Sequence, residues 1–502
     1  MKLFISDGGR RIEAEANQGE TVLDVLQRAR IEIRATCGGA GKCRRCQVLV
    51  RDDEGLSYRL ACLVPAKDGM EVVVERAGAM DVVQSGTAGA FPPDGNVTGY
   101  GISVDIGTTT VVAYLHDLAT GERLATVGRA NPQIAFGSDV ISRITASIDG
   151  KLDLMTDIIQ DALREMKAKL CAIAEVPQDQ VVRVTIAGNT VMQHIAVGLA
   201  PDTIGFNPFT PLSLFGDEHE IQGLGSCYFA RCIASYVGGD ITAGMLACGI
   251  DEGGTRLFMD LGTNGEMALA ANGRIKCCAT AAGPVFEGAN IHFGMPASPG
   301  AISKVAFADG KLQVKVVGDV SPIGICGTGI VDAVATMVRL GVVDETGLLL
   351  DADDLDEPIA SLVGCEDDGN VFYLTEDHSL YVTQADVRCM QLAKAAVCAG
   401  IYTMMDAAGI RVEDIDKLDI AGGFGAYLNL ESAAAIGLFP KELLPCASSV
   451  GNTSGEGATA MLVSGAARDR EAEIAQKCDY LELSTSVEFN KFYVDMMGFE
   501  VS

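Results

Sequence analysis

Four cysteines crowd the start of the chain: Cys37, Cys43 and Cys46 in one loop, and Cys62 after fifteen intervening residues. Four thiolates are the ligand set of a 2Fe–2S cluster, three from a wrapping loop and one from a separate segment. Gly38, Gly39 and Gly41 lie in that loop, where their backbone freedom brings N–H groups close to sulfur. Zinc is the competing chemistry. Zinc sites usually show two short Cys pairs, and only Cys43-Arg44-Arg45-Cys46 is present. Lys42, Arg44, Arg45, Arg51 and Arg59 flank the loop, either as solvated charge or as a docking patch for an acidic electron donor.

A second chemistry is carried by an acid followed by Gly and Thr. Asp105 runs into Ile106-Gly107-Thr108-Thr109, and Asp260 runs into Leu261-Gly262-Thr263-Asn264. Such a turn aims N–H groups at phosphate oxygens, and its Asp holds Mg²⁺ through water. The recurrence at a spacing of about 155 residues points to an internal duplication. A third segment, Asp419-Ile420-Ala421-Gly422-Gly423-Phe424-Gly425, is a strand opening into a turn that suits an adenine or ribose face. The candidate catalytic acids are Asp105, Asp240 and Asp260. Asp240, within Gly238-Gly239-Asp240-Ile241-Thr242, either holds Mg²⁺ or orients a water, or simply caps a helix. The candidate nucleotide residues are Gly107, Thr108, Thr109, Gly262, Thr263, Asn264, Gly327, Gly422, Gly423 and Gly425. Gly327, in Cys326-Gly327-Thr328-Gly329, serves equally as a helix start.

These groups need elements to hold them. Residues 1–5 and 10–16 alternate as paired strands, and Thr21 begins a short helix. Further strands are expected over 46–50 and 71–75. Residues 78–99, rich in Ala, Gly, Pro and Ser, read as a flexible linker. Beyond residue 100 strands and helices alternate, with helices at 152–173, 327–340 and 384–408, which is an α/β pattern. The expected plan is a cluster-binding domain over 1–77, the linker over 78–99, a nucleotide-binding α/β domain over 100–483 with halves at about 100–250 and 251–483, and a C-terminal tail over 484–502.

Charge supports the first boundary. Residues 1–77 hold 13 basic and 12 acidic groups, whereas the whole chain of 502 residues carries −29. That acidity argues against nucleic acid. No apolar run is long enough to span a membrane, and a cytoplasmic location is expected. Twelve cysteines outside the first group sit mostly among apolar residues, as buried reduced thiols do.

The N-terminal segment resembles plant- and adrenodoxin-type ferredoxins of α+β, β-grasp fold, with the five-residue first spacing of the adrenodoxin type. Its fourth Cys arrives earlier than in either. The three Gly-rich turns resemble the ASKHA superfamily of two-lobed, RNase H-like α/β proteins, which includes sugar kinases, chaperones and actin. The combination resembles the reductive activators of corrinoid-dependent enzymes. The matching segments are Asn131-Pro132-Gln133, Gly137 to Arg143, Ala187-Gly188-Asn189-Thr190-Val191-Met192, Asp260 to Glu266, Cys326 to Asp332, Ala421 to Gly425, and Gly451-Asn452-Thr453-Ser454. The resemblance implies ATP-dependent reduction of a corrinoid protein from inactive Co(II) to Co(I), using a 2Fe–2S cluster, ATP and Mg²⁺. It also implies a low-potential electron donor (ferredoxin, flavodoxin or reductase) and a homodimer. Some relatives have a middle domain, for which the 22 residues of the linker leave no room. Competing readings are a small-molecule kinase with a fused redox domain, an activator of a radical dehydratase, and a chaperone or cluster scaffold.

Overall fold

The alternation at the N-terminus becomes a hairpin. Strand β1 (Lys2–Asp7) buries Leu3 and Ile5 and pairs antiparallel with β2 (Arg10–Glu15). Helix α1 (Val22–Arg28) starts at Thr21, whose hydroxyl accepts the Asp24 N–H while the Asp24 carboxylate accepts the Thr21 N–H. This reciprocal cap satisfies two backbone donors that a helix start leaves open. Strands β3 (Gln47–Asp52), β4 (Gly55–Leu60) and β5 (Glu71–Val74) complete a mixed sheet in the order β2-β1-β5-β3-β4, with β1 and β5 parallel. This is the expected β-grasp domain.

The molecule is a computed structural model. It describes every residue except 8, 9, 36, 43, 44, 53, 54, 75–85, 87–90, 96, 263, 367, 368, 501 and 502.

The duplication appears in the strand pairing. Strands β6 (Tyr100–Ile106), β7 (Thr110–Asp117) and β8 (Arg123–Ala130) form an antiparallel meander. β9 (Val181–Gly188) joins β6 in parallel, and β10 (Glu218–Ile221) and β11 (Gly225–Phe229) extend that edge. The second sheet repeats this order. Strands β12 (Arg256–Leu261), β13 (Gly265–Ala271) and β14 (Arg274–Thr280) form the meander. β15 (Lys417–Ala421) joins β12 in parallel, followed by β16 (Ala447–Gly451), and β17 (Cys478–Tyr480) pairs with β14. Parallel neighbours need crossovers, and helices supply them. In the first half these are α2 (Val140–Ala146), α3 (Leu152–Ile173) and α4 (Thr190–Ala196). After α5 (Gly239–Cys248), the second half has α6 (Gly327–Arg339) and α7 (Gln384–Ala408).

Two packed units result. One comprises Met1–Ala79, Pro92–Gly239 and Met461–Ser464, and the other Met80–Phe91, Asp240–Ala460 and Gly465–Ser502. In the first unit the β-grasp domain and the β6–β11 sheet share one apolar core. Gln27 of α1, itself buried, donates to the Ala135 carbonyl, and Lys151 reaches Asp24 at 2.9 Å and Gln27 at 3.1 Å.

Two expectations change. Much of the linker lies outside the described residues, but its described part has fixed partners. The Asp94 N–H donates to Val463 at 3.0 Å and its carboxylate meets Arg183 at 3.2 Å, while Gly86 pairs with Gly451. The tail contains a helix, Val487–Asp495, packed on α7. Phe492 stacks on Tyr402, and the Lys394 ammonium donates to the Met496 and Gly498 carbonyls, so apolar contact and a cation hold the segment down.

Candidate functional site

The cysteine loop leads into β3, and the 3₁₀ turn Ala61–Leu63 carries Cys62 back beside it. The Cys46 and Cys62 sulfurs are 3.3 Å apart and both residues are buried. Burial, then the Cys46 neighbour, pushes the Cys62 thiol up to about 11, while the Gly41 N–H pulls it down. Ligation to iron would reverse that penalty by holding the thiolate form. Cys37 is near enough to add to the rise, without the described sulfurs closing into a single metal cage. A 2Fe–2S cluster divides four thiolates between two irons. The close Cys46–Cys62 pair fits two thiolates on one of those irons, with Cys37 near enough to act on Cys62. The Cys43 assignment and Arg44 lie outside the described residues. Of the flanking cations, Arg59 is paired to Asp52 at 2.9 Å and Arg51 to Glu71 at 3.7 Å, leaving Lys42 and Arg45 as described exposed charges.

In the same unit, Asp105 ends β6 next to the turn Gly107-Thr108-Thr109. Side chains from three of the quoted segments grip this turn. Asn131 donates from Nδ2 to the Gly107 carbonyl at 2.8 Å, and its own N–H donates to Thr109 at 2.8 Å. Asn189 donates to the Thr108 hydroxyl at 3.0 Å. Arg143, fully buried, donates to the Thr108 carbonyl from Nη2 and to the Gly137 carbonyl from Nε at 3.2 Å. Asn131, Arg143 and Asn189 were in the quoted segments but carried no assigned role.

In the second unit, Asp260 and Glu266 are direct cross-strand partners on β12 and β13. Like charges facing each other across an antiparallel pair repel. Burial, then Asp240 and then Asp260, push the Glu266 carboxyl well above its usual range. Asp240 is therefore within electrostatic reach of Glu266, in the first turn of α5 rather than at its cap. The described carboxyls do not close into a three-ligand cation cage; a hard, oxygen-preferring ion such as Mg²⁺ would be held by these acids through water. Glu266 was missed as a site residue, although its pairing with Asp260 across a short turn was the available signal. Asn264 holds it at 3.1 Å, and Thr263 lies outside the described residues.

The Gly-rich turn after β15 separates packing from space. Gly422 has φ +94°, and a methyl there would lie 2.6 Å from the Asp260 carboxylate. A methyl on Gly423 would meet nothing within 4 Å, so open space lies over it, as a ligand-facing position requires. Gly327 opens α6 with its Cα against Phe286; a methyl would come within 1.7 Å of that carbonyl, so packing alone demands glycine there.

Three family models match the chain. The 2Fe-2S iron-sulfur cluster binding domain covers 5–67, the RACo middle region 100–253, and the C-terminal domain of RACo, the ASKHA domain, 254–501. The middle region is therefore present and coincides with the first expected lobe, which corrects the expectation that it has no room. The chain is 30% identical to the corrinoid activation enzyme RamQ of Eubacterium limosum over 96% of each protein. It is 26% identical to the [Co(II) methylated amine-specific corrinoid protein] reductase of Methanosarcina barkeri, over 79% of this chain and 76% of that one. A solved reductive activator for corrinoid,iron-sulfur protein superposes with a TM-score of 0.71 at 28% identity, over 99% of this chain and 98% of the other.

Proposed function

This chain belongs to the family of reductive activators of corrinoid-dependent enzymes, and from that premise we propose that it reduces a corrinoid protein from Co(II) to Co(I), one electron at a time, at the expense of ATP. The reading rests above all on one unit that contains both the close Cys46–Cys62 pair and the gripped turn at Thr108. Cys37, Cys43, Cys46 and Cys62 hold the cluster, which when bound supplies a one-electron carrier. Gly107, Thr108 and Thr109, together with Gly262, Thr263 and Asn264, present N–H and hydroxyl donors to phosphate. Asp105, Asp240 and Asp260 hold Mg²⁺ or orient water, and Gly422, Gly423 and Gly425 leave room for the nucleoside. A low-potential donor recharges the protein in the cytoplasm, and the working form is a homodimer.

The energetics explain the need for ATP. Each ~59 mV uphill costs one electron a factor of ten, about 1.4 kcal/mol. An uphill gap of about 300 mV thus costs about 7 kcal/mol, which a nucleotide-driven change of population must supply. The test is anaerobic: reduced protein, Mg-ATP and a Co(II) corrinoid protein from the same genomic neighbourhood are mixed, and the visible spectrum is followed for Co(I). Absence of ATP-dependent change with several such partners refutes the reading.

A further inference from the structure

Gly38, beside Cys37, and the phosphate turn at Thr108 belong to the same unit, and one segment lies against both. Gly38 has φ +61°, and a methyl on it would sit 3.2 Å from the Phe136 carbonyl, so the cysteine loop rests on the 132–136 turn. The next residue, Gly137, gives its carbonyl to the Arg143 Nε at 3.2 Å. The same guanidinium donates from Nη2 to the Thr108 carbonyl. The 132–136 turn is also tied to α1 of the β-grasp domain, because Gln27 donates to Ala135. At its other end Asn131 holds Gly107 and Thr109. From Thr108 to the residue after Cys37 there is therefore an unbroken path of hydrogen bonds and covalent bonds, ending in close contact, with fully buried Arg143 at its centre.

We infer that Arg143 is a positioning residue that joins the phosphate turn to the cysteine loop, so that nucleotide at Thr108 alters the surroundings of Cys37 and hence of the cluster. The inference rests on the proposed function, since it needs both a cluster and a nucleotide. Its physical ground is the shape of the guanidinium. A planar fork engages two carbonyls in fixed relation, so a shift of one is felt by the other, whereas an ammonium on a flexible stem imposes no such geometry. Contiguity alone is not coupling, so coupling itself has to be measured.

The test uses the full-length, cluster-loaded protein under anaerobic conditions. Nucleotide binding is measured by calorimetry with a non-hydrolysable ATP analogue and Mg²⁺, and the cluster by its visible circular dichroism and midpoint potential. In the wild type, saturating nucleotide should change the dichroism and shift the potential. In Arg143→Lys the analogue should bind about tenfold more weakly, and at saturation the cluster response should vanish. Gln27→Met leaves the phosphate turn untouched; affinity should stay within twofold while the cluster response falls by at least half. Should Arg143→Lys fail to fold or to load its cluster, Gln27→Met decides alone. A wild-type cluster that ignores bound nucleotide, or an Arg143→Lys cluster response equal to wild type, overturns the inference while leaving corrinoid reduction standing; where Arg143→Lys does not fold, a Gln27→Met response equal to wild type does so. A wild type that takes up no cluster or binds no nucleotide refutes the proposed function, and the inference with it.

Discussion

Gly422 and Gly423 are neighbours that the structure sets in opposite situations, and substituting each by alanine separates a nucleotide cradle from a packing constraint. At Gly423 the added methyl meets no protein atom within 4 Å and φ is ordinary. Alanine in a helical turn is favoured over glycine by up to about 1 kcal/mol, so Gly423→Ala should leave Tm unchanged or raise it by at most about 2 °C. If nucleotide occupies the space over Gly423, the methyl overpacks that contact at about 1–3 kcal/mol, weakening ATP by about 5- to 150-fold. Gly423→Leu should weaken it further. At Gly422 the methyl would lie 2.6 Å from the Asp260 carboxylate and 2.8 Å from the Leu261 carbonyl, at φ +94°. A left-handed residue with a side chain costs about 1–2 kcal/mol before any clash, so Gly422→Ala should lower Tm by several degrees with or without ligand. Calorimetric titration with Mg-ATP and a thermal melt of each variant provide both readouts. ATP affinity equal to wild type in Gly423→Ala and Gly423→Leu would refute the cradle.

Cys62→Ser should abolish the visible cluster spectrum and reduce bound iron several-fold on reconstitution, whereas Cys248→Ser, at a buried position of the second unit, should keep both. His116 is buried, and burial with Arg123 beside it holds its pKa at about 4. The unfolded chain takes up that proton near pH 6.5, so this stability is complete above pH 6.5 and is lost as pH falls towards 4. About 2 kcal/mol should go between pH 7 and pH 5, and thermal melts of His116→Gln should show a flatter pH dependence. Crosslinking cysteines introduced at Arg30 and Asp157, which meet at 3.1 Å, should stop electron delivery to a corrinoid protein but spare ATP hydrolysis. Undiminished Co(I) formation would refute any need for the β-grasp domain to leave its seat.

The elements were legible where one local rule decided them. The helices expected at 152–173, 327–340 and 384–408 appear at Leu152–Ile173, Gly327–Arg339 and Gln384–Ala408, because apolar spacing decides them; Thr383 and Asp386 also cap the last, as Thr21 and Asp24 cap α1, while the other two start without a side-chain cap. The repeated strand, acid and Gly turn disclosed the duplication because each half has to rebuild the same meander. Eight of the twelve other cysteines are buried, three are half-buried, and Cys365 is exposed. What escaped were groups whose roles depend on distant partners. Arg143 in isolation reads as surface charge on a short helix, and only the fold shows it swallowed between Thr108 and Gly137. Glu266 lay in a quoted motif, but its place opposite Asp260 is a matter of register. The β-grasp domain's seat could not be read because the residues that make it, Gln27 and Ala135, are 108 positions apart and neither is unusual in its own segment.

That seat changes how electron delivery must be controlled. A domain on a loose tether samples many positions, and its encounter with a corrinoid protein would need no permission from ATP. Here the domain shares a core with the β6–β11 sheet. Removing it breaks the buried Gln27–Ala135 bond, worth about 0.5–1.5 kcal/mol once both groups meet water. It also breaks partly exposed ion pairs such as Lys151–Asp24, worth about 0–1 kcal/mol each. The shared apolar contact adds to these, and a total of roughly 3 kcal/mol holds the released form below about 1%. Release is therefore a step that can be gated. The 131–143 segment grips both the Thr108 turn and the seat, so under the proposed function a nucleotide that moved Thr108 would act on the contacts that hold the β-grasp domain in place.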